Sequence, residues 1–319
     1  MKFTDKIVNQ VNAINKTKKI VLIDGDDKRM IEAAKELAKF KNIELTLLVE
    51  EDKNCECGLN FENIFSDKEL IEKMVTKYVE LRKGKETEEQ ARSVLKTRPF
   101  YAMMLLAMGK ADGVVGGLNY PTADILRAAF KVIGPKPGIK TISSVMIMHK
   151  DEDTLIFSDI SVNPKPNKEQ LSDIGINAAT FAAQMGFDPR VAFLSFSTDG
   201  SAKTDESVMV REATDLFNQN YKATKAIGEI QLDAALDFEI RKAKYKREYF
   251  EEKANVLIFP DLGAGNIGYK LVQRLGGYGA IGPIVVGAKM PVNDLSRGST
   301  VDDVVNTVLI TVLQSEGEK

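Results

Sequence analysis

Short apolar runs that give way to a turn and then to a helical pattern recur along this chain, and that alternation leaves it few folds. Lys19-Ile-Val-Leu-Ile-Asp24 is a β run, Gly25-Asp26-Asp27 a turn, and Met30 to Phe40 a helix with Ile31, Ala34, Leu37 and Ala38 at helical spacing. Ile43 to Val49 is the next β run, and Asp67 to Arg82 and Thr87 to Leu95 are helices. Ala111-Asp-Gly-Val-Val-Gly-Gly117 then runs into a glycine loop and a helix opened by Pro121-Thr-Ala-Asp124. Ser143 to Met148 and Leu155 to Val162, separated by Lys150-Asp-Glu-Asp153, form a hairpin, and helical sequence resumes at Lys168. Val191 to Ser197 leads through Thr198-Asp-Gly-Ser201 to the helix Glu206 to Phe217, and Val256 to Phe259 precedes a helix over Tyr269 to Leu275. Strands alternating with helices imply an α/β chain with mainly parallel sheets covered by helices. Gly134-Pro-Lys-Pro-Gly138 interrupts the alternation, and at 319 residues the chain has room for two domains, with the boundary expected near Ile142.

Composition excludes several function classes. With 44 Lys and Arg against 46 Asp and Glu, the net charge of -2 gives no overall attraction to nucleic acid or to an anionic membrane, so any basic site must be local. No apolar run is long enough to span a bilayer, and the mixed polar stretch Met1 to Ile14 is unlike a signal peptide, so a cytoplasmic location is expected. Cys55 and Cys57 stand in an acidic loop-like stretch without further Cys or His, which favours reduced thiols over a metal site. The single histidine, His149, reads as a strand-end residue, so a general base is sought among the carboxylates. The charged stretch Arg241 to Lys253 reads as a solvated helix face and loop, and Met103 to Met108 as core filling.

Chemistry concentrates near the end of the chain, in Pro291-Val-Asn-Asp-Leu-Ser-Arg-Gly-Ser-Thr-Val-Asp-Asp303. Val304, Val305, Val308, Leu309, Val312 and Leu313 recur at the spacing of one buried helix face, and Thr300 with Asp303 reads as an N-cap and its N3 acid. Ser296, Arg297 and Gly298 therefore lie in a loop before a helix N-terminus. Such a loop offers backbone N–H groups and a positive dipole end to an anion, and Arg297 adds a two-pronged clamp. Asp303 is either a capping acid alone or a base as well.

Arg127, inside the helix after the first glycine loop, either leans back over that loop or is a solvated helix residue. The Ser197-Thr198 turn is a third anion-friendly strand-to-helix junction. Gly263-Ala-Gly265-Asn266-Ile-Gly268 spells G-x-G-x-x-G, but the acid that would hold a ribose about twenty residues on is missing from Ile284-Val-Val-Gly287. Close approach to a different phosphate-bearing ligand suits these glycines better.

With those segments assembled, the chain resembles the phosphotransacetylases, the phosphate acetyltransferase family that interconverts acetyl-CoA and acetyl phosphate. The resemblance rests on Phe259-Pro-Asp-Leu-Gly-Ala-Gly-Asn-Ile-Gly-Tyr-Lys270, Ile281-Gly-Pro283, Leu194-Ser-Phe-Ser-Thr198, Ala111-Asp-Gly113 and above all Pro291 to Gly298. It implies a two-domain αβα fold like that of isocitrate and isopropylmalate dehydrogenases, with a cleft between the domains and a homodimer. It also implies that the C-terminal segment returns to the first domain, giving domain I as 1–142 with 292–319 and domain II as 143–291. By position, Asp303 matches the family's proposed general base, Ser296 the hydroxyl near the thioester, and Arg297 the arginine that holds the acyl phosphate. Arg82 and Arg127 match arginines implicated in coenzyme A or phosphate binding. Thr122, Ser197, Thr198, Gly265, Asn266 and Gly298 complete the expected substrate-binding set. Coenzyme A is then a substrate, no cofactor is permanently bound, and no metal is needed.

The reaction these residues suit is attack by the coenzyme A thiolate on the carbonyl of acetyl phosphate. Moving a proton from a thiol near ~8.5 to a carboxylate near ~3.9 is uphill by roughly 6 kcal/mol, so the base must be desolvated or the thiolate stabilised. Arg297 and the helix N-terminus can stabilise developing charge, and Ser296 can donate a hydrogen bond. A covalent acyl-enzyme through Ser296 lacks a histidine activator. Phosphate butyryltransferase activity is the nearest alternative. A nicotinamide dehydrogenase or a non-catalytic CoA-binding module are alternatives of a different class.

Overall fold

The computed structural model describes residues 1–53 and 58–317; the Cys55 and Cys57 pair lies outside the described residues. The chain divides into two compact units, one of Lys6–Lys136 with Ala288–Lys319, the other of Met1–Asp5 with Pro137–Gly287. In chain order the elements are α1 (Phe3–Asn12), β1 (Lys18–Leu22), α2 (Lys28–Leu37), β2 (Ile43–Val49), β3 (Asn60–Asn63), α3 (Lys68–Leu81), α4 (Glu88–Val94), α5 (Arg98–Ala107), β4 (Gly113–Gly116) and α6 (Thr122–Val132). They continue with β5 (Ser143–Lys150), β6 (Asp153–Ser158), α7 (Lys168–Gln184), β7 (Val191–Leu194), α8 (Asp205–Asn220), β8 (Ala226–Ile230), α9 (Leu232–Leu236), α10 (Phe238–Lys244), β9 (Val256–Ile258), α11 (Leu262–Gly276), β10 (Gly279–Val286), β11 (Val292–Asp294) and α12 (Val301–Gln314).

In the Lys6–Lys136 unit the strands run β11-β4-β1-β2-β3, every pair parallel. β1 is buried on both faces, as a central parallel strand must be. Val21 and Ile23 enter a core with α3, α4, α5 and α6, while Ile20 lies on the other face, where α12 packs on α2, β1 and β4. Met103 to Leu106 are buried in that core. The sheet grows from β1 toward β3 and then resumes on the opposite side of β1 with β4. The carboxyl ends of β1 and β4 thus flank a topological switch point, the place where open parallel sheets leave a crevice for ligands.

The other unit has the order β10-β5-β6-β9-β7-β8, with β5 and β6 an antiparallel hairpin, β10 antiparallel to β5, and the remaining pairs parallel. His149 sits near the end of β5, its ring against Phe3.

Two expectations fail here for physical reasons. The Gly263 to Gly268 motif is not a loop before a helix but the first two turns of α11, which starts at Leu262 with Asp261 as N-cap. Its glycines serve close packing: a Cβ at Gly265 would collide with the Asp159 carbonyl oxygen, and one at Gly268 would stand 2.9 Å from the Phe259 ring. The Arg241 to Lys253 stretch is not uniformly solvated either. Arg241 is fully buried, its guanidinium donating to the carbonyls of Ala234, Ala235, Phe250 and Glu252, which closes the loop after α10.

Candidate functional site

The strand ends beside β1 are organised by carboxylates. Asp24 is fully buried just beyond β1, and its two oxygens accept from the backbone N–H groups of Gly117 (2.7 Å), Leu118 (3.1 Å) and Asn119 (3.0 Å). One side chain therefore shapes the whole glycine loop after β4. Burial pushes its carboxyl above the usual range, while the three N–H bonds oppose that shift. Gly117 has φ +123°, and a Cβ there would collide with Asp294 Oδ1 and stand 2.6 Å from the Leu295 carbonyl oxygen, so only glycine fits. On the next strand, Asp294 accepts a 2.6 Å bond from the Thr122 hydroxyl at the start of α6.

Asp27, the N-cap of α2, holds Arg29 through Nε and Nη2, and Asn119 Nδ2 also donates to it. The hydrogen bond from Arg29 is the main reason the Asp27 carboxyl lies below its usual range. Arg29 Nη1 then donates to the carbonyl oxygens of Arg297 (2.8 Å) and Ser299 (2.9 Å). The turn that presents Ser296, Arg297 and Gly298 is thus clamped from outside by an Asp-Arg pair, and closed from inside by the Ser299 N–H bond to the Ser296 carbonyl (2.9 Å).

Ser296, Arg297 and Gly298 are exposed. Among the described residues the Arg297 side chain has no ion pair or hydrogen bond, whereas Arg29 beside it is committed to protein partners. An anion approaching this turn meets one uncommitted guanidinium. Ser296 Oγ accepts from the Gly298 N–H at 3.3 Å, which leaves the hydroxyl proton for a ligand. α12 begins three residues after Gly298, at Val301, with a complete capping box: Thr300 Oγ1 accepts from Asp303 N, and Asp303 Oδ2 accepts from Thr300 N and Oγ1. The cap uses up the Thr300 and Asp303 amides, which are therefore not free to bind an anion. It employs one oxygen of Asp303 and leaves Oδ1 without a protein partner among the described residues.

Arg127 lies on α6, and Arg82 stands beside that helix. Arg127 pairs with Asp124 on the helix surface. Arg82 closes α3, donating to Glu86 (3.1 Å) and to the Lys131 carbonyl (3.3 Å). Glu86 is desolvated, yet bonds from Tyr78, Lys131 and Arg82 hold its carboxyl below the usual range.

In the other unit the predicted residues are less available. Ser197 is fully buried, its hydroxyl donating to Glu229 (2.9 Å), and Thr198 is buried with its hydroxyl accepting from Gln231 N. Glu229 also takes the Gly200 N–H and Arg211, and against its burial these bonds keep its carboxyl low. Both hydroxyls expected to touch substrate are therefore engaged in fixing their own loop. Gly265 is a packing position, and Asn266 donates weakly to the Ile160 carbonyl at 3.3 Å.

The structure brings Thr122, Ser296, Arg297, Gly298 and Asp303 to the strand ends of one unit. The sequence reading missed the residues that assemble them: Asp24, Asp27, Arg29 and Asp294. The available signal was acids standing directly after apolar strand runs, in Ile23-Asp24 and Val292-Asn-Asp294.

Residues 2–312 match the family described as phosphate acetyl/butaryl transferase. The chain belongs to this family. It is 41% identical over 312 residues to a phosphate acetyltransferase of Staphylococcus aureus, covering 94% of this chain and 95% of the relative. Against one from Bacillus subtilis it is 40% identical over 314 residues, with 96% and 97% covered. A solved phosphotransacetylase from Streptococcus pyogenes superposes with TM-score 0.91 at 35% identity, covering 98% of each chain. A 4-hydroxythreonine-4-phosphate dehydrogenase from Salmonella typhimurium, described as putative, superposes at TM-score 0.52 and 10% identity over 93% of this chain and 99% of its own; that likeness concerns the fold alone.

Proposed function

We propose that this protein is a phosphate acetyltransferase, catalysing acetyl-CoA + phosphate = acetyl phosphate + CoA. The observation that carries this reading is the family match over nearly the whole chain, with phosphate acetyltransferases at 41% identity. What supports Arg297 as the acyl phosphate clamp is its uncommitted guanidinium, on a turn braced by Arg29.

In the acetyl-CoA-forming direction the coenzyme A thiol loses its proton and its sulfur attacks the carbonyl carbon of acetyl phosphate. The C–S bond forms, the bond from the carbonyl carbon to the phosphate oxygen breaks, and phosphate leaves with that electron pair. Arg297 spans two oxygens of the acyl phosphate and gains strength as charge builds on them. Ser296 donates to the oxyanion or the thiolate. Asp303 Oδ1, not needed by the helix cap, receives the thiol proton. Arg82 and Arg127 bind anionic groups of coenzyme A far from the reacting carbonyl. The enzyme is read as a cytoplasmic homodimer with no permanently bound cofactor.

Thioester formation followed by absorbance, with coenzyme A and acetyl, propionyl or butyryl phosphate, tests the reading. The highest kcat/KM is expected with acetyl phosphate. Equal or faster turnover of butyryl phosphate would move the assignment to a butyryltransferase, and no thioester with any of the three would reject it.

A further inference from the structure

Asp294 has no part in the steps above, yet its setting is unusual for an acid. It is 2% exposed, at the end of β11, and its Oδ1 is a buried oxygen without a hydrogen-bond partner among the described residues. Oδ2 is 2.6 Å from Thr122 Oγ1, and Oδ1 lies against the backbone of Gly117, whose N–H is held by Asp24. Two buried carboxyls therefore meet at one glycine. Asp24 has three N–H donors for its negative charge, and Arg98 nearby adds to them. Asp294 has one hydroxyl. The groups that act on it are Asp24 from the turn after β1, which is repulsive, and Thr122 from α6; β4 meets it at Gly117.

We propose that Asp294 is a positioning residue that works as a neutral acid, donating its proton to Thr122 Oγ1 and so releasing the Thr122 hydroxyl hydrogen to bind the anionic acyl phosphate. The inference rests on the acetyltransferase reading for the identity of that anion. The 2.6 Å bond runs from the Thr122 hydroxyl to Asp294 Oδ2 when the carboxyl is ionised; with Asp294 neutral and its proton on Oδ2, it reverses and runs from the acid to the hydroxyl. Oδ1 is then an uncharged carbonyl oxygen, whose missing partner costs far less than that of an anionic oxygen. When Asp294 ionises, the Thr122 hydroxyl must turn inward to donate to it. The substrate then loses a donor. Burial, with Asp24 adding to it, pushes the Asp294 carboxyl up to about 7, so the change falls in the physiological range.

The test is the KM for acetyl phosphate across pH, because this substrate loses its own last proton well below the window. If only the neutral form binds well, KM rises about tenfold between about pH 6 and about pH 8. Asp294→Asn supplies a permanent N–H donor to Thr122 and should remove that rise. Thr122→Val should remove it too, at a KM as high as that of wild type at the alkaline end, which keeps the proposal testable if the Asn variant fails to fold. A flat wild-type profile, or a tenfold rise that survives either substitution, overturns the role of Asp294. Absence of thioester formation by wild type at every pH would instead reject the acetyltransferase reading. In that case thermal stabilisation of the folded protein by sulfate, a dianion at both pH values, still tests the Thr122 switch: stabilisation is expected to be larger at the acid end, and equal stabilisation overturns it.

Discussion

Replacing Arg29 by alanine is the sharpest way to ask whether the turn carrying Arg297 must be held in place. Arg29 Nη1 donates to the carbonyl oxygens of Arg297 at 2.8 Å and Ser299 at 2.9 Å, while Nε and Nη2 stay on Asp27. Charge-assisted bonds contribute about 1.5 to 3 kcal/mol each when shielded. The Arg29 side chain is 32% exposed, so we take about 2 kcal/mol for the pair together. If that energy orders the turn for reaction, its loss appears in turnover as roughly a thirtyfold fall. As a loss of stability it lowers the melting temperature by about 4 to 8 °C. The assay is the acetyl phosphate and coenzyme A reaction at saturating substrates, beside a thermal melt. Arg29→Lys should fall between wild type and alanine, since one ammonium keeps the charge but not the fork. A folded Arg29→Ala protein with turnover within about twofold of wild type would refute the bracing role.

Asp303→Asn preserves an oxygen for the Thr300 cap but removes the basic carboxylate, so turnover should fall by about a hundredfold with little change in melting temperature; near-normal turnover would leave Asp303 a capping residue only. Gly265→Ala places a methyl against the Asp159 carbonyl oxygen and should destabilise by about 3 kcal/mol, read from urea unfolding; an unchanged midpoint would show that α11 can shift freely. Asp294 gives a pH dependence of stability. Its carboxyl rises from 3.8 to about 7 in the folded state, so its contribution is fully present below the unfolded value and is lost as pH rises through the folded one. A shift of that size corresponds to at most about 4 kcal/mol. Asp294→Asn should therefore gain stability relative to wild type between about pH 4 and about pH 7 and hold that gain above it; a pH-independent difference would contradict the buried-acid account.

Much of this arrangement was legible because local signals and tertiary roles coincide. α12 was readable from its apolar spacing and from Thr300 and Asp303, since the same residues that cap it also fix where the preceding turn must end. The β1 to α2 step was readable because Ile20 to Ile23 form an apolar run and Gly25-Asp26-Asp27 marks the turn before the helix; that Asp27 itself caps α2 was not read. α11 was misread at its start because glycines ordinarily break helices, and nothing local reveals that Gly265 must admit the Asp159 carbonyl. Arg241 looked like a surface cation because its four carbonyl partners come from α9 before it and the loop after α10, which only tertiary structure brings together. The bond from the Ser197 hydroxyl to Glu229 was not legible because its acceptor lies 32 residues away on β8. Arg29 and Asp294 escaped for the same reason: their partners are 172 to 270 positions distant, and their meaning resides in the pairing.

The central claim is that the turn of Ser296, Arg297 and Gly298 handles the reacting acyl phosphate, and Arg297→Lys tests it most directly. Lysine retains the charge on an exposed side chain with no protein partner among the described residues, so folding should be undisturbed. It cannot span two oxygens in one plane, so an interaction strongest in the transition state is lost. Measured at saturating coenzyme A and acetyl phosphate, turnover should fall by at least about tenfold while the melting temperature stays at the wild-type value. A stable Arg297→Lys enzyme with wild-type turnover would contradict the account.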